Sequence, residues 1–203
     1  NALGRRISGL LGYGSVGLSA LLTILLGIDF IQHRPPDGVF IQKLWTWMDV
    51  GSFSPDIGLM LDPLSLAFIF VITFVGFLIH LYSAEFMAED EGFSRFFAYM
   101  NLFVCSMLLL VLADNMLLMY LGWEGVGLCS YLLIGFWYKD PENGYAARKA
   151  FIVTRVGDVA LALGMFLLFI HMGTLQFPVL NEVIPQTWST GSQLADISAI
   201  LLL

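Results

Sequence analysis

Ile7–Ile28 holds 22 consecutive residues without one charged side chain. A helix that crosses a bilayer needs about 20 mostly apolar residues. The pattern then recurs. Leu64–Ala84 has none of Asp, Glu, Lys or Arg and one histidine, His80, Phe96–Ala113 has none of Asp, Glu, Lys or Arg, and Met116–Tyr138 carries a single charge, Glu124. Ala146–Ile170 is broken by Arg148, Lys149, Arg155 and Asp158, yet Val159–Ile170 is wholly apolar. A sixth run begins near Leu194 and stops at Leu203. These runs predict an all-α polytopic membrane protein, with helices over about 7–31, 62–84, 95–113, 115–138 and 146–171, and the start of another at 194–203. Composition agrees: 12% of residues are charged, against about 25% in a soluble domain. The chain starts without Met and ends inside an apolar run, so residues 1–203 are read as one membrane domain cut from a longer protein.

Charge then orders the helices across the membrane. If the first helix starts on the cytoplasmic side, the inner loops and helix ends hold Arg5, Arg6, Arg95, Lys139, Arg148 and Lys149, and the outer ones hold Arg34 and Lys43. Basic residues favour the inner side, and acids weigh little in this rule. Arg5-Arg6 before an apolar run resembles a signal peptide, but the run is too long for one and no small-residue cleavage site follows. The net charge of −7 argues against a nucleic-acid partner. Cys105 and Cys129 form no disulfide framework, and no Cys-x-x-Cys offers a metal site.

The loops carry local signals. Val39–Met48 and Phe53–Leu61 flank Asp49-Val50-Gly51-Ser52, which predicts a short external β-hairpin within residues 39–61. Trp45, Trp47 and Trp188 suit an interfacial aromatic belt, or are packed loop aromatics. Asp62-Pro63 reads as an N-cap followed by Pro at the first helical position. Ser8/Gly12 and Ser15/Ser19 have the small-xxx-small spacing of closely packed membrane helices.

Chemistry belongs where charge is buried. Glu124 lies 8 residues from Met116, about 12 Å along its helix. A charged carboxylate there costs several kcal/mol unless it is paired or protonated. Gly122, Gly125 and Gly127 clear space around it, for another backbone or for water. On the next helix Arg155 and Asp158 are spaced i, i+3 and can pair on one face. If Tyr138 and Ala146 are level, Glu124 lies opposite Ala160 and Asp158 opposite Val126, an offset of about 3 Å. The three charges then share one layer, provided that the two helices face each other. Desolvation strengthens a carboxyl group's hold on its proton and a nearby cation weakens it. A carboxylate beside a movable cation is therefore a proton device, with Glu124 transferring the proton and the Arg155/Asp158 pair modulating it. A static lock between helices is the alternative. Lys149 is a further candidate for the proton path, and Arg148 is read as snorkelling to the inner interface. His80 and His171 lie at opposite helix ends, cannot share a haem and are read as interfacial. No covalent catalytic residue, metal site or cofactor-binding motif is found.

Ser94–Phe103 reads SRFFAYMNLF, Val111–Phe136 reads VLADNMLLMYLGWEGVGLCSYLLIGF, and Phe151–Asp158 reads FIVTRVGD. These runs, with Val16-Gly17-Leu18 and Leu44–Met48, closely resemble the N-terminal portion of the antiporter-like subunits of bacterial NADH:quinone oxidoreductase, respiratory complex I, of the subunit L or mitochondrial chain 5 type. Related subunits occur in multi-subunit sodium/proton antiporters. The resemblance implies an antiporter-like helix bundle in the bacterial cytoplasmic membrane, or in the mitochondrial inner membrane if the source is eukaryotic. It implies proton translocation coupled to quinone reduction by NADH, with other membrane-arm subunits and the lipid bilayer as partners. NADH, FMN, Fe-S clusters and quinone would be bound elsewhere in the complex, none by this chain. The family's membrane glutamate matches Glu124, and its buried arginine and aspartate match Arg155 and Asp158. The family's later lysines have no counterpart within these residues. Competing readings are a sodium/proton antiporter subunit and a purely structural subunit.

The charge split sets a test of topology. Single cysteines at Asp37 and Asp49 should react with a membrane-impermeant thiol reagent added to intact cells, and cysteines at Glu89 and Lys139 should not. The reverse labelling pattern inverts the orientation.

Overall fold

The computed structural model describes residues 2–33, 35–51, 53–189 and 191–203. Arg34 and Ser52, used above for the charge count and the hairpin turn, lie outside the described residues. The elements in chain order are α1 (Ala2–Gln32), β1 (Phe40–Thr46), β2 (Asp56–Leu61), α2 (Pro63–Phe86), α3 (Phe93–Leu112), α4 (Met116–Ile134), α5 (Pro141–Met172), α6 (Phe177–Thr187) and α7 (Gln193–Leu202). Helices α1 to α5 are each long and apolar enough to cross a membrane. The fold is thus an all-α membrane bundle with one two-stranded antiparallel sheet.

Helix boundaries follow local chemistry. At α2 the Asp62 carboxylate accepts the Ser65 N–H at 2.7 Å, while the Ser65 hydroxyl accepts the Asp62 N–H at 2.8 Å. This reciprocal cap, with Pro63 inside the first turn, fixes the start. Asp140-Pro141 repeats the signal, and the Asp140 carboxylate accepts the Glu142 N–H at 3.0 Å. So α5 begins at Pro141, before the 146 expected from hydropathy. Gly135 caps α4, which ends at Ile134 rather than at 138. Hydropathy marks the apolar part of a helix, whereas caps mark its ends. The amphipathic α6 was not expected. Its Leu180 joins Met116, Leu168, Met172 and Leu175 in one core cluster.

One end of the bundle gathers the inner loops. The Arg5 guanidinium donates to the Ala88 carbonyl at 2.9 Å, and the Trp137 indole donates to Asp90 at 2.9 Å. That bond, with the Gly92 N–H, holds the Asp90 carboxyl below the usual carboxylate range. Arg95 donates to the Phe136 carbonyl and stacks on the rings of Phe136 and Tyr138. The α1 start therefore meets the α2–α3 loop, which in turn meets the α4–α5 loop.

The opposite end is organised by the corner Ala113-Asp114-Asn115. The Asn115 side-chain oxygen caps Leu118 N–H at 2.9 Å, and its amide donates to the Asp56 carbonyl at 2.9 Å and to Asp114 at 2.6 Å. The Asp114 carbonyl accepts Phe177 N–H, and Met116 N–H donates to the Leu175 carbonyl. The hairpin, the α3–α4 corner and the α5–α6 link are thereby joined. Lys43 pairs with Asp56 at 2.7 Å and holds that carboxyl low, whereas burial pushes the Asp114 carboxyl up. The Asp114 carboxylate lies where a side chain at Gly58 would stand, so only glycine fits there.

Helix α1 packs through its small residues. Ser8 bonds Ser94 at 3.0 Å, Gly12 takes the Phe97 ring, and Ser15 bonds Asn101 at 2.8 Å. His80 corrects the sequence reading: it is fully buried, not interfacial, and its Nδ1 lies 2.7 Å from the Gly76 carbonyl. His171 lies in the last turn of α5, with its ring 5.9 Å from that of Trp188.

A Cβ on Gly122 would come within 2.5 Å of the Leu110 backbone N and 2.7 Å of its Cα. Backbone cannot yield as a side chain does. Gly122→Ala should therefore cost about 1–3 kcal/mol of stability through overpacking. Gly127, with nothing within 4 Å, is the control. Thermal unfolding of the detergent-solubilised protein should separate the two, and equal melting temperatures would refute the close α3–α4 approach.

Candidate functional site

The site lies on the α4–α5 seam. Two contacts near the inner end set its register: Gly135 faces Ala147, and the Tyr131 and Phe151 rings are 5.4 Å apart. Carried up the antiparallel pair, that register sets Glu124 level with about Asp158, two residues from the expected Ala160. The tight turn after Gly135 and the early start of α5 explain the displacement.

At this level two neighbouring residues of α4 grip two residues of α5. The Arg155 guanidinium pairs directly with the Glu124 carboxylate. It also lies 3.6 Å from Asp158 Oδ2. The Trp123 indole N–H donates to Asp158 Oδ1 at 2.7 Å. Asp158 is buried, with 4% of its surface exposed. The sequence reading pairs Arg155 with Asp158 first; the structure sets Arg155 between the two carboxylates, in direct contact with Glu124. The Phe151 ring lies one turn below, with the guanidinium carbon 4.7 Å from its centre. An aromatic face attracts a cation and adds to what fixes the arginine. Tyr120 lies one turn before Glu124 on the same face of α4.

Of the three glycines, Gly122 serves backbone approach. Gly122 takes the α3 backbone at Leu110, and Gly125 takes the Ser106 side chain, while Gly127 faces open space. Lys149 is not brought into the cluster: it is exposed, and it has no ion pair among the described residues. Arg148 is exposed too, 3.4 Å from the Gly144 carbonyl. No group of three or more His, Cys, Asp or Glu residues that could hold a metal occurs among the described residues. Below the cluster, a cavity of about 220 Å³ opens at the inner end between α3, α4 and α5, lined in part by Tyr99, Tyr131 and Tyr138.

Trp123, Phe151 and Tyr120 were missed in the sequence. Phe151 and Tyr120 were accessible through their i, i+4 spacing to Arg155 and Glu124. Trp123 had no such signal, because its reach depends on helix rotation. Chemically, the site sets one cation against two carboxylates.

Comparison with known proteins places this geometry in context. Residues 113–203 match a family described as NADH:quinone oxidoreductase/Mrp antiporter, transmembrane. Residues 47–97 match the NADH-ubiquinone oxidoreductase (complex I) chain 5 N-terminus. The chain is 54% identical over 197 residues to NADH-quinone oxidoreductase subunit L of Escherichia coli strain K12, covering 97% of this chain and 32% of that protein. It is 52% identical over 157 residues to the Mycobacterium tuberculosis subunit L, covering 77% of this chain and 24% of that protein. The chain thus spans about a third or less of the length of these relatives. Among solved structures, the Mrp complex from Dietzia sp. DQ12-45-1b matches with a TM-score of 0.72 and 26% identity, over 98% of this chain and 23% of that one.

The shared guanidinium predicts an order of damage. Arg155→Gln leaves two carboxylates without their cation and should lower stability more than any other single change in the cluster. Asp158→Asn leaves Arg155 on Glu124 and should cost clearly less. Assembled, heat-resistant protein measured for each variant checks the order; equal losses would contradict a guanidinium shared in this way.

Proposed function

This chain belongs to the antiporter-like membrane-subunit family that includes subunit L of NADH-quinone oxidoreductase, and from that membership we propose that it forms the N-terminal part of a proton-translocating subunit in the membrane arm of complex I. Its place would be the bacterial cytoplasmic membrane or the mitochondrial inner membrane, among the other membrane-arm subunits. NADH oxidation and quinone reduction would occur on other chains, with their FMN and Fe-S clusters.

The carrying observation is that one guanidinium lies between a half-buried carboxylate, Glu124, and a buried one, Asp158, on facing helices. In the described position the Arg155 guanidinium is in direct contact with the Glu124 carboxylate. A rotamer change toward Asp158 would withdraw that cation from Glu124. At an effective dielectric of about 20, two charges 4 Å apart interact by about 4 kcal/mol, and the energy falls inversely with distance. A shift of a few ångströms is therefore large enough to load or release a proton. Glu124 is the proton-transfer group, and Arg155 and Asp158 modulate it. Lys149 belongs to the path only if another segment reaches it.

A cation/proton antiporter subunit without a redox partner is the second reading. The 26% identity to an Mrp complex structure across nearly the whole chain favours keeping it. Dependence of pumping on NADH separates the two.

Glu124→Gln keeps the side chain's shape and removes its titratable proton. The complete subunit carrying this change should still assemble, because a neutral amide at this depth costs less than a charge. NADH-driven proton pumping in membrane vesicles should fall, while Glu85→Gln on the inner loop should pump normally. Equal pumping by wild type and Glu124→Gln at matched assembly would eliminate the proton-transfer role.

A further inference from the structure

Trp123 contributes one polar group to a surface that does not otherwise need it. Its side chain is 48% exposed, on a helix that crosses the membrane, so Phe or Leu would cover the same surface. An indole N–H in hydrocarbon needs an acceptor. Here it donates to Asp158 Oδ1 at 2.7 Å, while Asp158 Oδ2 stands 3.6 Å from Arg155. Asp158 is buried and three residues after Arg155, close enough to take the guanidinium for itself. Without the indole, Arg155 is the remaining donor recorded beside it among the described residues.

We infer that Trp123 is a positioning residue: its indole N–H holds the Asp158 carboxylate and so leaves the Arg155 guanidinium to Glu124. The assignment deepens the proton-transfer role proposed for Glu124 and rests on it. The competition is between two acceptors for one cation. Trp123 occupies an oxygen of one acceptor and tips the balance to the other. The groups that face Glu124 are Arg155 and Asp158 from α5 and Tyr120 from its own helix. From α3, Ser106 and Leu110 pack on this stretch of α4, and neither is charged.

The test uses the complete subunit in its assembled complex. Trp123→Phe keeps an aromatic ring and removes the N–H. An isosteric tryptophan analogue with sulfur in place of the indole N–H, installed at the same position, keeps the packing if Phe does not assemble. The readout is the infrared carbonyl band of the protonated Glu124 carboxyl, identified by its loss in Glu124→Gln and followed against pH without turnover. Both variants should move the half-conversion of that band upward by about one pH unit, the low end of what a neighbouring arginine does to a carboxyl group. The pH profile of pumping should move the same way. In an Asp158→Asn background Trp123→Phe should add no further shift, because the indole acts through Asp158. An unchanged band in the variants lacking the N–H overturns the assignment, as does a full shift in the Asp158→Asn background. Normal pumping by Glu124→Gln would instead remove the transport role and leave the band shift standing, so the two failures are distinguishable.

Discussion

One guanidinium faces two carboxylates on the α4–α5 seam of an apolar bundle, and much of the α4–α5 arrangement can be derived from that. If Glu124 and Asp158 are both ionised, the layer is one positive charge short. Hydrocarbon does not tolerate such a layer cheaply. The helices must also come close enough for the contacts to exist. Glycine at 122 admits the α3 backbone, Gly135 lies against Ala147, and Phe151 supports the arginine from below. Packing and charge therefore specify the same register. Neither alone accounts for a Trp-Glu pair on one helix meeting an Arg and an Asp three residues apart on the next.

Much of the fold was legible because a bilayer imposes length and polarity together. Apolar runs located the five spans, and Asp62-Pro63 located the start of α2. The same dipeptide at Asp140-Pro141 announced α5, but the charged residues that follow it hid the signal from a reading based on hydropathy. Helix α6 escaped for a related reason: 11 residues with an internal Pro185 make no membrane run.

The candidate site was legible in its parts and not in its contacts. Charge in an apolar run singled out Glu124, Arg155 and Asp158. Their mutual distances depend on helix rotation and on a register error of about two residues, neither of which periodicity supplies. Trp123 was invisible for the same reason, since its value lies in where one N–H points. His80 was placed at a helix end by counting residues. Its burial comes from the tertiary packing of α2 against α3, which brings Phe97 over its ring at 6.0 Å.

The corner at Ala113–Asn115 has a mechanical meaning. Bonded to the hairpin on one side and to the α5–α6 link on the other, it clamps α4 at its outer end. The helix is then a lever with its fulcrum beside Met116. Glu124 sits about 12 Å from that fulcrum, so a tilt of about 5° carries it about 1 Å. The inner end of α4 sweeps more than twice as far for the same tilt. A force applied at that end would thus reach the charge cluster geared down: a long stroke at the surface would become a short, strong one at the carboxylate.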